Sequence, residues 1–160
     1  MNDSVFTHSQ EQLQQLARDV LSFAREAGGT DAAVEVSEGG GLSVSVRKGK
    51  IETIEQNKDK GMGVTVFVGK KRGNASTSDF SPSALRATVD AAYNIARFTA
   101  ADPCAGLPEA HLLASRADAA QDLDLYHPWQ LSVEQAIELA RRCEQAAFAV
   151  SPLIANSEGA

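Results

Sequence analysis

The side chains of this sequence that could hold a metal ion or attack a substrate include three histidines and two cysteines. His8, His111 and His127 are far apart, and none has a second histidine one helical turn away with a glutamate beside it, as zinc hydrolases commonly have. Cys104 lies in a predicted loop without a local histidine or helix N-terminus to activate its thiol. Cys143 falls on the apolar stripe of a predicted helix, where we expect a buried, inert thiol.

The one local grouping of metal-ligand types is formed by Asp122, Asp124, Tyr126 and His127. It lacks the glycine and the distal glutamate of a calcium loop, so a solvated acidic linker is the preferred interpretation. The sequence therefore predicts a chain without a complete catalytic or metal site. Any enzymatic role would have to be completed by residues outside it.

Basic residues are concentrated in one stretch although the net charge is -6. Between Arg47 and Arg72, eight basic residues stand against three acidic ones. This asymmetry indicates a possible anion contact, and the alternative is solvated turns and strand edges. Only Phe67 could stack on a base there, so nucleic acid is not expected as a partner. The possible anion-contact residues are Arg47, Lys48, Lys50, Lys70, Lys71 and Arg72.

A strand of small polar residues is the second candidate contact surface. It follows a glycine-containing strand, and small side chains let another backbone approach a sheet edge closely. The alternative is plain solvent exposure of a polar strand. The possible peptide or partner contacts are Asn74, Ser76, Thr77 and Ser78.

The elements that position these residues follow from periodicity. Capping-box patterns at Ser9 with Gln12 and at Ser132 with Gln135 start the first and third helices. Gly28 and Gly29 end the first helix, and Ser81 with Pro82 starts the second. Between the helices, apolar residues alternate with polar ones and glycines mark the turns. The predicted strands cover residues 32–36, 42–46, 51–57, 62–68 and 74–78, with turns at 39–41, 48–50 and 69–73.

The predicted fold class is α+β: an antiparallel β-meander of about five strands packed against two helices, followed by a long connection and a third helix. Residues 1–100 form the N-terminal domain, 101–130 the extended connection and 131–152 the third helix. Residues 153–160 begin with an apolar strand that has no sheet to pair with, which predicts the start of a truncated second domain. The stripe predicted for the third helix is Ala136, Ala140, Cys143, Ala147 and Val150.

The cellular compartment is indicated by what the chain lacks. Two cysteines are too few for a disulfide framework, which fits a reducing compartment. No run of about 18 apolar residues and no signal-peptide pattern is present in the sequence. We expect a soluble cytoplasmic protein with no membrane partner.

The run from Ser43 to Leu85, SVSVRKGKIETIEQNKDKGMGVTVFVGKKRGNASTSDFSPSAL, resembles the signature portion of the TldD/PmbA family. The segment DLDLYHPW and the closing NSEGA are similar to the PmbA (TldE) branch of that family. The similarity extends from Gln12 to Ala160, with strand, turn and helix signals in the same order.

This resemblance implies a subunit of a cytosolic heterodimeric peptidase that digests unfolded peptides and trims modified peptide precursors. The family is also named modulator of DNA gyrase. Its zinc-binding His-Glu-x-x-x-His motif belongs to the TldD branch and has no match here, so the resemblance transfers no catalytic residue to this chain. It implies no cofactor in this chain and zinc in a TldD-like partner. Family members are far longer, so the chain is expected to be an N-terminal domain.

Two functions therefore remain open. The first is a non-catalytic module of a peptidase complex, with a TldD-like subunit and a peptide substrate as partners. The second is an anion- or nucleic-acid-binding module that uses the basic turns, related to the gyrase association. The fragment alone is not expected to be an enzyme.

Overall fold

The computed structural model describes residues 6–119 and 121–157. The chain forms an α+β fold whose strands make one sheet in the order β1-β2-β3. The helices are α1 (Gln10–Glu26), α2 (Pro82–Phe98), the single turn α3 (Arg116–Ala119) and α4 (Val133–Val150), and the strands are β1 (Asp31–Arg47), β2 (Lys50–Val68) and β3 (Lys71–Thr77). Strand β3 pairs antiparallel with β2, from Met62 opposite Thr77 to Val68 opposite Lys71.

The sheet has three strands, so the prediction of about five was wrong. The two strands expected on either side of Gly39–Gly41 are one continuous β1, and those on either side of residues 58–61 are one continuous β2. None of the glycines at 39–41 has a left-handed φ. Glycine adopts extended backbone as readily as a turn, and the ladder to the neighbouring strand decides between them.

The two hairpins are tight. Lys48 and Gly49 have φ values of 50° and 74°, and positive φ at both central residues is the mark of a type I′ turn. The turn predicted at Lys48-Gly49-Lys50 is thus confirmed. The second turn is shorter than the predicted 69–73, because residues from Lys71 onward already pair with β2.

The predicted helix starts are confirmed. Both capping boxes form: the Ser9 amide donates to Gln12 Oε1 at 2.7 Å, and the Ser132 amide donates to Gln135 Oε1 at 2.9 Å. Pro82 opens α2 as expected. The predicted connection 101–130 is not entirely irregular, since it contains a 3-10 turn at Ala110–Leu112 and the short α3.

The backbone forms two compact units. The first contains residues 6–39 and 59–119, and the second contains residues 40–58 and 121–157. Strands β1 and β2 therefore each contribute to both units. The domain boundaries expected from the sequence remain a prediction.

The core of the first unit lies between one face of the sheet and helices α1 and α2. Its buried members are Val20, Ala24, Met62, Val64, Val66, Leu85, Val89 and Ala92. Strand β3 and α2 approach very closely at Gly73, where a Cβ atom would lie 2.1 Å from the Ala92 carbonyl oxygen. Only glycine fits this contact.

The core of the second unit joins the hairpin to α4. Val44, Val46, Ile137 and Ala140 are its buried members. The prediction of a buried Cys143 was wrong: this cysteine is exposed, and the neighbouring Glu144 is buried instead. The buried face of α4 continues from 137 and 140 to 144, so a carboxylate occupies a position that an apolar pattern would not mark.

Residues 151–157 form a turn and irregular backbone without a strand. The strand predicted from residue 153 is absent there, since an isolated strand has no ladder to stabilise it. Residues 158–160 of the predicted second-domain start lie outside the described residues. Within 6–119 and 121–157, no helix combines the length and apolar character needed to cross a membrane.

Candidate functional site on the outer face of the sheet

The face of the sheet turned away from α1 and α2, here called the outer face, carries a shallow groove of about 470 Å³. Side chains of a strand alternate between faces, so buried Met62, Val64 and Val66 assign the residues between them to the outer face. All three strands line the groove. The lining residues are Ala33, Val34, Glu35, Gly63, Val64, Thr65, Asn74, Ala75 and Ser76.

The register of β2 and β3 places the small outer-face residues side by side. Gly63 lies opposite Ser76, and Thr65 lies opposite Asn74. A Cβ atom added to Gly63 would meet nothing within 4 Å. The groove is therefore open above Gly63, where another backbone can approach the sheet.

Four polar side chains of the groove have no hydrogen-bond or ion-pair partner among the described residues. Glu35, Thr65, Asn74 and Ser76 make no side-chain hydrogen bond or ion pair with any other residue in the described parts of the chain. Glu35, Asn74 and Ser76 are exposed, and Thr65 is half-buried. The outer face thus offers a carboxylate, an amide and two hydroxyls to a molecule lying over Gly63.

The four residues predicted as peptide or partner contacts divide into two pairs. Asn74 and Ser76 line the groove. Thr77 lies on the opposite face, and its Oγ1 accepts the Asp79 amide at 3.0 Å. Ser78 follows the end of β3 and is exposed. Whether any of them contacts a peptide stays a prediction.

Sequence reasoning missed the part of the groove that lies on β1 and β2. Ala33 and Glu35 come from β1, and Gly63 and Thr65 come from β2. The sequence contained a signal for these four residues, because each stands at a position that alternates with the apolar residues of its strand. The pairing register between neighbouring strands is needed to show which of their alternating positions lie on the same face of the sheet.

The first three predicted anion contacts lie at the β1–β2 hairpin, in the second unit. Arg47 Nε is 2.9 Å from Glu52 Oε1. The side chains of Lys48 and Lys50 are exposed. At this hairpin one guanidinium is therefore already paired with a carboxylate.

The other three lie at the β2–β3 hairpin, in the first unit. Lys70 Nζ donates to the Ala105 carbonyl and Lys71 Nζ donates to the Arg97 carbonyl, both at 3.1 Å. Arg72 is exposed and shares the parity of Asn74 on β3. The six basic residues are thus divided equally between the two units, and three of them have partners within the chain. An anion contact stays a prediction.

Glu144 is a structural residue that the sequence pattern did not reveal. It is 3% exposed, and its Oε2 accepts the Gly49 amide at 2.6 Å. Its Oε1 accepts the Lys48 amide and, at 3.2 Å, the Ser157 hydroxyl. Arg141 Nε donates to the Gly49 carbonyl at 3.2 Å. One helix therefore holds both central residues of the turn.

A second carboxylate, Glu38, fixes the segment before α1. It accepts the backbone amides of Thr7 and His8 at 2.9 Å each, and His8 Nδ1 lies 3.3 Å away. The His8 amide, followed by the other bonds from Thr7 and His8, lowers the pKa of Glu38 to about 2 despite an opposing effect of burial.

A metal site is not formed by the described residues. Within 6–119 and 121–157, no three His, Cys, Asp or Glu side chains come together in a way that could hold an ion. Asp122, Asp124, Tyr126 and His127 are exposed, and Asp122 Oδ1 accepts the Asp124 amide at 2.9 Å. The donors present do not fit a hydrolytic zinc.

Residues 32–96 match the family described as PmbA/TldA metallopeptidase domain 1. The chain is 45% identical over 152 residues to metalloprotease PmbA of Escherichia coli O157:H7, covering 93% of this chain and 33% of that protein. It is 42% identical over 160 residues to the metalloprotease PmbA homolog of Haemophilus influenzae, covering 99% of this chain and 35% of that protein.

Two crystal structures share the fold. One is a protein of Bacteroides thetaiotaomicron provisionally named a modulator of DNA gyrase, with a TM-score of 0.68, 22% identity, and coverage of 86% of this chain and 31% of that one. The other is TldE of Thermococcus kodakarensis, with a TM-score of 0.59, 17% identity, and coverage of 81% and 30%. The chain spans about a third of the length of its curated relatives. It belongs to the PmbA/TldD family and matches the first domain of that family.

Proposed function

We propose that this chain is a non-catalytic first domain of a PmbA/TldE-like subunit, which acts with a zinc-bearing TldD-like partner in cytoplasmic proteolysis of unfolded or modified peptides. Family membership supports the link to proteolysis. The observation that carries the proposal is the open outer-face groove.

The bound molecule is an extended polypeptide segment. Gly63 and Ala33 provide almost no side chain, so a peptide whose backbone follows β3 can lie close to the sheet with its side chains over β2 and β1. Asn74, Ser76 and Thr65 lie beside that path and can donate to or accept from peptide groups. Hydrogen bonds to the backbone do not depend on the sequence of the peptide, which suits a protease that handles varied unfolded chains.

The contribution of this chain to the reaction is positioning. A zinc ion in the partner would supply an activated water for attack on the peptide bond. The groove residues of this chain would hold the peptide extended, which reduces the entropy lost when it reaches the reacting centre. Because the groove contacts the peptide away from the bond that is cleaved, it holds substrate and transition state equally, and we expect it to affect substrate affinity more than the rate of bond cleavage.

The test is a steric block in the full-length subunit, assayed with its TldD-like partner on an unfolded peptide. Gly63→Val fills the groove, and its Cβ meets nothing in the domain itself, so the fold should be kept. Gly61→Val is the matched control, because it lies on the same strand and face, is equally unobstructed and does not line the groove. We expect Gly63→Val to raise KM several-fold with little change in kcat. Equal KM values for the two variants would refute the groove as a peptide site.

The proposed partner is tested separately by purification. The full-length subunit should co-purify with a TldD-like subunit, and zinc analysis should find the metal in that subunit. A full-length protein that never associates with such a subunit, or that holds stoichiometric zinc and cleaves peptides alone, would contradict this part of the proposal.

A further inference from the structure

Glu35 is the only charged side chain among the groove residues. It is exposed, and it forms no ion pair with any other residue in the described ranges. Its neighbours in the groove are uncharged: Thr65, Asn74 and Ser76 are hydrogen-bonding groups and Ala33 is apolar. An uncommitted carboxylate in a neutral groove favours a cation.

We propose that Glu35 makes the groove selective for an extended peptide that carries a lysine or arginine side chain. This inference rests on the proposed function and adds a preference among substrates. The peptide backbone follows Asn74 and Ser76 along β3, and the basic side chain crosses β2 to reach the Glu35 carboxylate on β1.

The geometry of the sheet favours a long side chain. Neighbouring strands lie about 4.8 Å apart, so β1 and β3 are separated by about 10 Å across β2. Gly63 leaves the path across β2 open, with nothing within 4 Å of where its Cβ would be. The aliphatic part of lysine or arginine can lie over Gly63 and Ala33 while its charged end remains in water beside Glu35. Short polar side chains would not cover that distance.

The size of the preference follows from exposure. Solvent-exposed ion pairs contribute about 0.2–1 kcal/mol, which corresponds to about a 1.5- to fivefold difference in affinity. Screening by salt should reduce the preference strongly at about 1 M ionic strength. An acidic side chain at the same peptide position should bind more weakly than a neutral one.

The experiment titrates the chain with three unstructured nonapeptides that differ only at the central residue, which is lysine, glutamine or glutamate. Amide chemical shifts of β2 and β3 report the binding site and the dissociation constant. The test variant is Glu35→Gln. The control is Asp31→Asn, which removes the same charge from an exposed residue of the same strand and parity that does not line the groove.

We expect the lysine peptide to bind the unaltered chain and Asp31→Asn about 1.5 to 5 times more tightly than the glutamine peptide. In Glu35→Gln this ratio should fall to about one. A ratio that persists in Glu35→Gln, or that is lost equally in Asp31→Asn, overturns the role of Glu35. If Gly63→Val still weakens all three peptides, the peptide site stands and only the selectivity is wrong. No binding of any peptide by the unaltered chain overturns both.

Discussion

Replacing Gly73 by alanine is expected to damage the first unit by forcing apart two elements of its core. The new Cβ would lie 2.1 Å from the Ala92 carbonyl oxygen and 2.5 Å from the Ala96 amide nitrogen. Both atoms belong to the backbone of α2, so no side-chain rotation can relieve the contact. Ordinary contact begins at about 3.4 Å, so α2 and β3 would have to separate by more than about 1 Å.

The magnitude combines two opposing effects. Overpacking of a close-packed interior costs about 1–3 kcal/mol, and this contact belongs at the upper end because it is made by backbone. Removing a glycine from the unfolded chain returns about 0.4–1 kcal/mol. The net loss is about 2 kcal/mol, which for a chain of this size lowers Tm by about 4–8 °C.

The assay is thermal and urea denaturation followed by circular dichroism, with Gly63→Ala as the control. Gly63 belongs to the same β2–β3 ladder, but a Cβ atom there would meet nothing within 4 Å, so its replacement should leave stability unchanged or slightly raised. A Gly73→Ala protein as stable as the Gly63→Ala protein would refute the close approach of α2 to β3.

Two further predictions concern carboxylates that bind backbone amides. Glu144→Ala leaves the Lys48 and Gly49 amides without their acceptor and should lower the free energy of unfolding, measured in urea, by about 1–3 kcal/mol. Glu144→Gln keeps one acceptor oxygen and should lose less of this free energy. An equal loss in the two variants would contradict the contact with both amides. The folded-state pKa of Glu38 is lowered to about 2, so the stability that this group adds is present above its unfolded pKa of about 4.5 and is lost as pH falls from about 4.5 towards 2. Urea midpoints at pH 7, 4 and 2.5 should show a smaller acid loss in Glu38→Gln than in the unaltered chain, and parallel losses would contradict the contact with His8.

Local signals predicted the helices well because each start is encoded within four residues. Ser9 with Gln12 and Ser132 with Gln135 form reciprocal bonds that need no distant partner. The strand count failed for the opposite reason. Three consecutive glycines at 39–41 are equally compatible with a turn and with an extended strand, and pairing along the sheet decided the outcome.

Only the β3 residues of the candidate groove could be predicted from the sequence. Asn74 and Ser76 stand out in the sequence as small and polar within one strand. Glu35 and Gly63 join them through a register between strands, which alternation along a single strand does not specify. The helix position of Glu144 was missed because its partners are main-chain amides about 95 residues away, which leave no pattern in side-chain types.

The second unit is assembled from two pieces of chain, residues 40–58 and 121–157. During synthesis the hairpin emerges long before α4. Val44 and Val46 therefore stay exposed until Ile137 and Ala140 of the helix can bury them. A nascent or proteolysed chain that ends near residue 120 would keep the apolar contacts of the first unit and expose Val44 and Val46 of β1. Such strands are the usual starting points of aggregation. We therefore expect this hairpin to be the part of an incomplete chain that is most prone to aggregation.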